Sequence, residues 1–147
     1  MIYSIVFTTH VFVSVVTLLA GFFTVVRSVF GWIMKKNYTR LDSVSSLVFT
    51  LALYMQLVLG FMVYILLRAS LKAPIFEIPI SANDASLRFW AIEHIALMIF
   101  ALFLTQLGRF YIKWSTASIK RFRASVFYYG TSLFLIIFSL VVALFFR

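Results

Sequence analysis

The sequence predicts an all-α protein, a four-helix bundle that spans a membrane. Hydrophobic residues make up 64% of the 147 residues and charged residues only 12%, about half the charged share of a soluble domain. The mean hydropathy is +1.08. The sequence also contains four long apolar stretches with few or no charges, each close to the ~20 residues that a helix needs to cross a ~30 Å hydrocarbon core. A soluble globular domain is therefore excluded.

We place the four spans at residues 5–26, 44–67, 89–112 and 124–146. All four should be helices, because backbone groups in lipid must form hydrogen bonds within their own segment and the stretches are roughly twice as long as a barrel strand. The first stretch has no basic start and no small-residue cleavage site, so we expect a retained span. Residues 1–147 are expected to form one transmembrane domain with no soluble catalytic module.

The basic residues determine the expected orientation. The connections after the first and third spans contain Arg27, Lys35, Lys36, Arg40, Arg109, Lys113, Lys120, Arg121 and Arg123, whereas the opposite side contains only Arg68, Lys72, Arg88 and Arg147. The positive-inside rule then predicts an up-down-up-down bundle with both termini and the middle loop outside. The basic residues that give the net charge of +9 are concentrated beside the spans. We therefore expect them to contact the headgroups of the lipid bilayer and not a nucleic acid.

Several function classes are excluded by what the sequence lacks. There is no cysteine, which excludes disulfides, thiolate-bound iron–sulfur clusters and CxxCH haem attachment. The sequence has no HExxH or GxSxG motif and no set of carboxylates for a di-iron centre. It also has no series of charged residues through the spans, as an ion pump needs. Hydrolases and pumps are therefore poor interpretations.

Two histidines lie well inside the predicted spans. His10 and His94 each lie within about two turns of the outer start of their span, roughly 10 Å below the helix end at ~1.5 Å per residue. Spans one and three run in the same direction and occupy one diagonal of the bundle, so the two imidazoles are expected to face each other across its core. That arrangement predicts a flat cofactor with two axial positions, haem b, with His10 and His94 as metal ligands.

Other residues near this height extend the haem hypothesis. Gly60 would let a porphyrin approach the backbone of span two, and Arg68 and Arg88 would pair with the propionates. Each residue also has a simpler interpretation. Membrane histidines form interhelical hydrogen bonds, glycines allow close helix packing, and arginines near helix ends extend to headgroups. Met98 is either an alternative soft ligand or a residue that fills the core.

Glu93 is a carboxylate inside a predicted span, and two roles are open for it. It would accept a proton during quinol oxidation beside the haem, or it would hold a ring nitrogen of His10 or pair with Arg68. We favour the structural pair. Tyr54 and Gln56 in span two are expected to form interhelical hydrogen bonds.

The run RFWAIEH at residues 88–94 resembles the third span of small bacterial four-helix membrane proteins labelled cytochrome B-like. Further along the chain, Met98, Ala101, Gly108 and Arg109 also match this family. Before the run, the matching residues are His10, the stretch 56–60 and the first connection from Arg27 to Asp42. The resemblance covers almost the whole chain and implies a bacterial cytoplasmic membrane, with the outer face periplasmic. At one position the chain departs from the family, having Tyr54 where the family has a further histidine.

We therefore expect a haem b-binding electron-transfer protein, acting alone or as a subunit of a larger redox complex, with quinol or another redox subunit as its partner. The alternative is a haem-free accessory subunit that packs beside a respiratory, transport or secretion complex. A third interpretation is a small enzyme that oxidises superoxide or quinol with the same haem.

Overall fold

The computed structural model describes residues 1–72 and 89–145, which form four long helices and no strand. The helices are α1 (Ile2–Ile33), α2 (Arg40–Ser70), α3 (Ile95–Trp114) and α4 (Ser118–Phe145). A π-helical turn, Phe89–His94, leads into α3. All four helices are long and apolar enough to cross a membrane. The predicted all-α, four-helix fold is confirmed, and the chain is a multi-pass membrane protein.

Consecutive helices run antiparallel and form a closed ring. Helix α1 packs against α2 and α4, and α3 packs against the same two helices, so α1 and α3 lie on one diagonal as predicted. We call the end of the bundle that holds residues 27–40 and 109–123 the basic end, and the opposite end the histidine end. The side of the membrane that each end faces stays a prediction from the charges.

At the basic end the helices extend beyond the predicted spans. Helix α1 continues through Arg27 to Ile33, and α2 begins at Arg40. The connections shrink to residues 34–39 and 115–117. Charged residues are tolerated at this level because the helix ends lie beside the headgroups and not in the hydrocarbon.

Asp42 explains where α2 begins and how it is joined to α1. Its carboxylate accepts hydrogen bonds from the backbone N–H and the hydroxyl of Thr39, both at 2.7 Å, in a capping box. The same carboxylate pairs with Arg27, with 2.6 Å between Nε and Oδ1. Because Asp42 is buried, this pair fixes the two helices together at the basic end.

On α1, small and hydroxylated residues face the inside of the bundle, while large apolar residues face outward. The buried positions of α1 are Thr17, Gly21, Thr24, Ser28 and Gly31. Its phenylalanines at 12, 22, 23 and 30 are each more than half exposed and contact the lipid bilayer. Apolar side chains need no protein cover in lipid, and small residues allow helices to approach closely.

Candidate functional site at the histidine end

A cavity of about 280 Å³ lies between the helices at the histidine end. All four helices contribute to its lining, which is mostly apolar, and its polar residues are His10, Ser14, Thr17, Gln56 and His94. We call it the histidine cavity. Both histidines line it, as expected from their matching depths. Its volume is close to the lower limit of small-molecule sites, which measure ~300–1,000 Å³.

The ring of His10 is held from α2. Its Nε2 lies 3.1 Å from Nε2 of Gln56, which is 7% exposed. The same amide nitrogen donates a hydrogen bond to the Ser14 hydroxyl, and Ser14 donates to the carbonyl oxygen of His10 at 2.9 Å. With Gln56 as the donor, His10 accepts at Nε2 and carries its hydrogen on Nδ1.

Two polar atoms of this group are buried without a partner. They are Nδ1 of His10 and Oε1 of Gln56, which form no hydrogen bond within the described part of the chain. Buried polar atoms of native proteins are almost always hydrogen-bonded. The two atoms therefore mark this group as a candidate binding site.

Gly60 lies directly against the His10 ring. A Cβ atom at this position would lie 3.3 Å from Cε1 of His10 and 3.9 Å from its Nδ1. The absent side chain thus makes room for the imidazole itself, at the height where we expected it to make room for a porphyrin. The structure brings His10, Gly60 and His94 together, whereas their roles in haem binding stay predictions.

His94 ends the π-helical turn and is held from α4. Its Nδ1 lies 2.7 Å from the hydroxyl oxygen of Ser139, which is completely buried. Such a contact orients the ring and fixes which nitrogen is engaged. π-Helical turns are rare and occur frequently at functional sites. Sequence analysis did not anticipate the turn, because its residues continue the apolar pattern of α3.

The charged residues that were predicted to belong to the site differ in where the structure places them. Glu93 is half-buried in the π-helical turn, and it does not hold His10, whose Nε2 contacts Gln56 and whose Nδ1 forms no hydrogen bond to any described residue. Arg68, in the last turn of α2, is buried, with only 7% of its surface exposed. The pairing of Glu93 with Arg68 stays a prediction. Arg88 lies outside the described residues.

Ser14 and Ser139 belong to the site although the sequence did not predict them, and Gln56 contacts His10 more closely than expected. The predicted interhelical bonding of span two is confirmed, since Gln56 bonds α1 and Tyr54 accepts a hydrogen bond from a glutamine of α3. A spacing of four residues, from His10 to Ser14, places both on one helix face and was the available signal. Ser139 had no comparable signal because it reaches His94 from another helix.

The donor set distinguishes between kinds of metal site. Among residues 1–72 and 89–145, no three His, Cys, Asp or Glu side chains are grouped as ligands. Zinc sites use three or four protein ligands. Haem iron takes its equatorial nitrogens from the porphyrin and needs only one or two protein ligands. Two histidines on facing helices thus match haem in donor type and number.

The chain matches no protein-family model, no curated protein and no solved structure. The resemblance to cytochrome B-like proteins therefore stays a prediction.

Proposed function

We propose that this chain is a membrane electron-transfer protein that binds one haem b between His10 and His94. One observation carries the proposal. Two imidazoles from helices on the same diagonal line a single, mostly apolar cavity, which is how helical bundles build cofactor sites. We place the protein in a bacterial cytoplasmic membrane, alone or within a larger redox complex, with quinol or a redox subunit as partner.

The contacts of the two rings define how each would hold the group. His94 would use Nε2, because its Nδ1 is engaged by Ser139, and a ligand histidine commonly has its other nitrogen bonded to oxygen in this way. His10 would use Nε2 only after its contact with Gln56 is given up. A bound haem supplies one-electron redox chemistry, and the apolar lining of the cavity excludes water from the imidazoles.

An absorbance spectrum tests this proposal. Purified protein, with and without one equivalent of added haem, is expected to show a Soret band. His10→Ala and His94→Ala should each lose it. Tyr54→Phe is the matched control, because it removes a polar group from α2 at a position that does not line the histidine cavity, and it should keep the band. A colourless wild-type protein that stays colourless with added haem would overturn the proposal.

A second candidate is a haem-free accessory subunit of a membrane complex. It is favoured by the polar contacts that both imidazoles already form, to Gln56 and Ser139, since such contacts also serve simply to join helices. In that case His10→Ala lowers the melting temperature, and the protein co-purifies with a fixed set of subunits without any chromophore.

A further inference from the structure

A second cavity, larger than the first, lies at the basic end. Its volume is about 680 Å³, and its lining comes from α2, α3, α4 and the short connection before α2. Four basic side chains line it: Arg40, Arg109, Lys113 and Arg121. We call it the basic cavity. It shares no lining residue with the histidine cavity, so what it binds is independent of the proposed haem.

The positive charges of the basic cavity have no opposing carboxylate in its lining. The acidic residues in the described ranges are Asp42 and Glu93. Asp42 is bonded to Arg27 and Thr39, and Glu93 lies at the histidine end. Four cations around one recess repel each other unless an anion joins them. The lining itself supplies no counter-charge, so an anion bound in the recess would reduce the repulsion among these cations.

Arg121 is already held in place. Its Nε donates a hydrogen bond to the carbonyl oxygen of Ser115 at 2.7 Å, and its guanidinium carbon lies 5.5 Å from the ring centroid of Tyr38. Burial raises the pKa of Tyr38 above its ordinary value, so this hydroxyl, which also lines the cavity, stays protonated at neutral pH. One side of the recess thus has donors in fixed positions.

Tyr129 adds a second, independent observation. It lines the basic cavity and is completely buried. Its hydroxyl lies beside the Ser46 side chain of α2 but forms no close hydrogen bond within residues 1–72 and 89–145. Buried tyrosine hydroxyls usually have a partner. An anion in the recess would provide an acceptor for this donor as well as charge for the four cations.

The position of the cavity indicates the source of the anion. Phe110 contributes to the lining and is 65% exposed, so the basic recess adjoins a lipid-facing apolar surface. The expected side of the membrane is cytoplasmic, where basic pockets between transmembrane helices bind anionic headgroups. We propose that the basic cavity binds a phosphate group, with an anionic phospholipid headgroup as the favoured source and free phosphate as the other.

Native mass spectrometry in detergent tests the site. Wild-type protein is titrated with phosphatidylglycerol, with phosphatidylcholine, and separately with inorganic phosphate. We expect one phosphatidylglycerol to be retained per chain in preference to phosphatidylcholine. Arg109→Gln combined with Lys113→Gln should weaken this binding about 30-fold. The matched control is Lys120→Gln with Arg123→Gln, which removes the same charge from exposed positions at the same end outside the cavity and should change binding little.

The variant Tyr129→Phe tests whether the Tyr129 hydroxyl serves to bind the anion or to stabilise the fold. Because the hydroxyl forms no close hydrogen bond to a described residue and its polar neighbour is Ser46, its removal should lower the melting temperature of lipid-free protein little but should weaken phosphatidylglycerol binding several-fold. Displacement of the lipid by millimolar inorganic phosphate would identify free phosphate as the source, and resistance to it would identify the lipid. Equal binding of both lipids, or equal loss in the two double variants, would overturn the site.

Discussion

Gln56 occupies Nε2 of His10, the ring nitrogen that would bind haem iron. Its amide nitrogen contacts Nε2 of His10 and the hydroxyl of Ser14, while its carbonyl oxygen forms no hydrogen bond to a described residue. If His10 binds haem iron through Nε2 as proposed, Gln56 would compete with the iron for that nitrogen. A variant at Gln56 therefore tests the proposed haem site.

The variant Gln56→Ala is expected to lower the stability of the fold without lowering its affinity for haem. Haem-free protein should lose about 1–2 kcal/mol, because His10 Nε2 and Ser14 lose a buried donor. Haem affinity, measured by absorbance titration, should be retained or rise. Gln106→Ala, at a glutamine that does not line the histidine cavity, is the control and should leave haem affinity unchanged. A complete loss of haem binding in Gln56→Ala would contradict this competition.

Glu93→Gln tests the proton role left open for this carboxylate. If Glu93 accepts a proton from quinol, the rate at which a quinol analogue reduces the haem should fall by about 10²-fold or more, with haem occupancy unchanged. Stopped-flow absorbance at the Soret band measures both quantities. An unchanged rate with a lower melting temperature would instead assign Glu93 to a structural pair.

At the scale of helices, the glycines Gly108 and Gly130 differ in how closely the neighbouring helix packs against them. A Cβ atom at Gly108 of α3 would lie 2.7 Å from Cβ of Tyr128 on α4, an atom that no rotamer change can move away. At Gly130 of α4, nothing lies within 4 Å of such an atom. The first glycine is required for the α3–α4 contact and the second is not.

Alanine substitutions should therefore separate the two positions. Gly108→Ala is expected to destabilise the bundle by about 1–3 kcal/mol through overpacking. Gly130→Ala should leave stability unchanged or raise it by up to about 1 kcal/mol, because alanine is the better helix former. Thermal unfolding of both variants in the same detergent, followed by circular dichroism, measures the difference. Equal melting temperatures would show that α3 and α4 can move apart at no cost.

Sequence reasoning predicted the four helices and their order but not their ends. The spans followed from hydropathy, since long apolar stretches in lipid can only be helical. The helix boundaries at the basic end were predicted wrongly because charged residues such as Arg27 and Arg40 are typical of loops. In the structure, the ion pair with Asp42 keeps Arg27 within α1, and the capping box starts α2 at Arg40. The shared height of the two histidines was predicted from spacing. Their contacts with Gln56 and Ser139 depend on helix rotation, which spacing does not give.

The whole molecule has two chemically different ends, one with paired imidazoles and one with clustered cations. This asymmetry underlies the predicted orientation, in which the basic end faces the cytoplasm. The two cavities share no lining residue, and on α2 their nearest lining residues, Ser46 and Leu53, are separated by about 10 Å of helix. A variant in one cavity should therefore change binding in the other little.

The absence of cysteine makes the orientation easy to measure. Asn37→Cys places one thiol at the basic end and Leu71→Cys places one at the histidine end, both at exposed positions and without changing the charge. In intact cells, a membrane-impermeant maleimide should label Leu71→Cys and leave Asn37→Cys unlabelled until the cells are lysed. The reverse pattern would invert the predicted topology.

The buried hydroxyls of the bundle mostly bond within their own helix. Thr17, Thr24 and Ser28 donate to carbonyl oxygens four residues earlier on α1, and Thr50 does the same on α2. Each of these helices therefore leaves the insertion machinery with these donors already satisfied. Such segments can enter the bilayer one at a time without exposing these hydroxyl donors to lipid unpaired, and only the few side chains that bond between helices, such as Gln56, must wait for helix pairing.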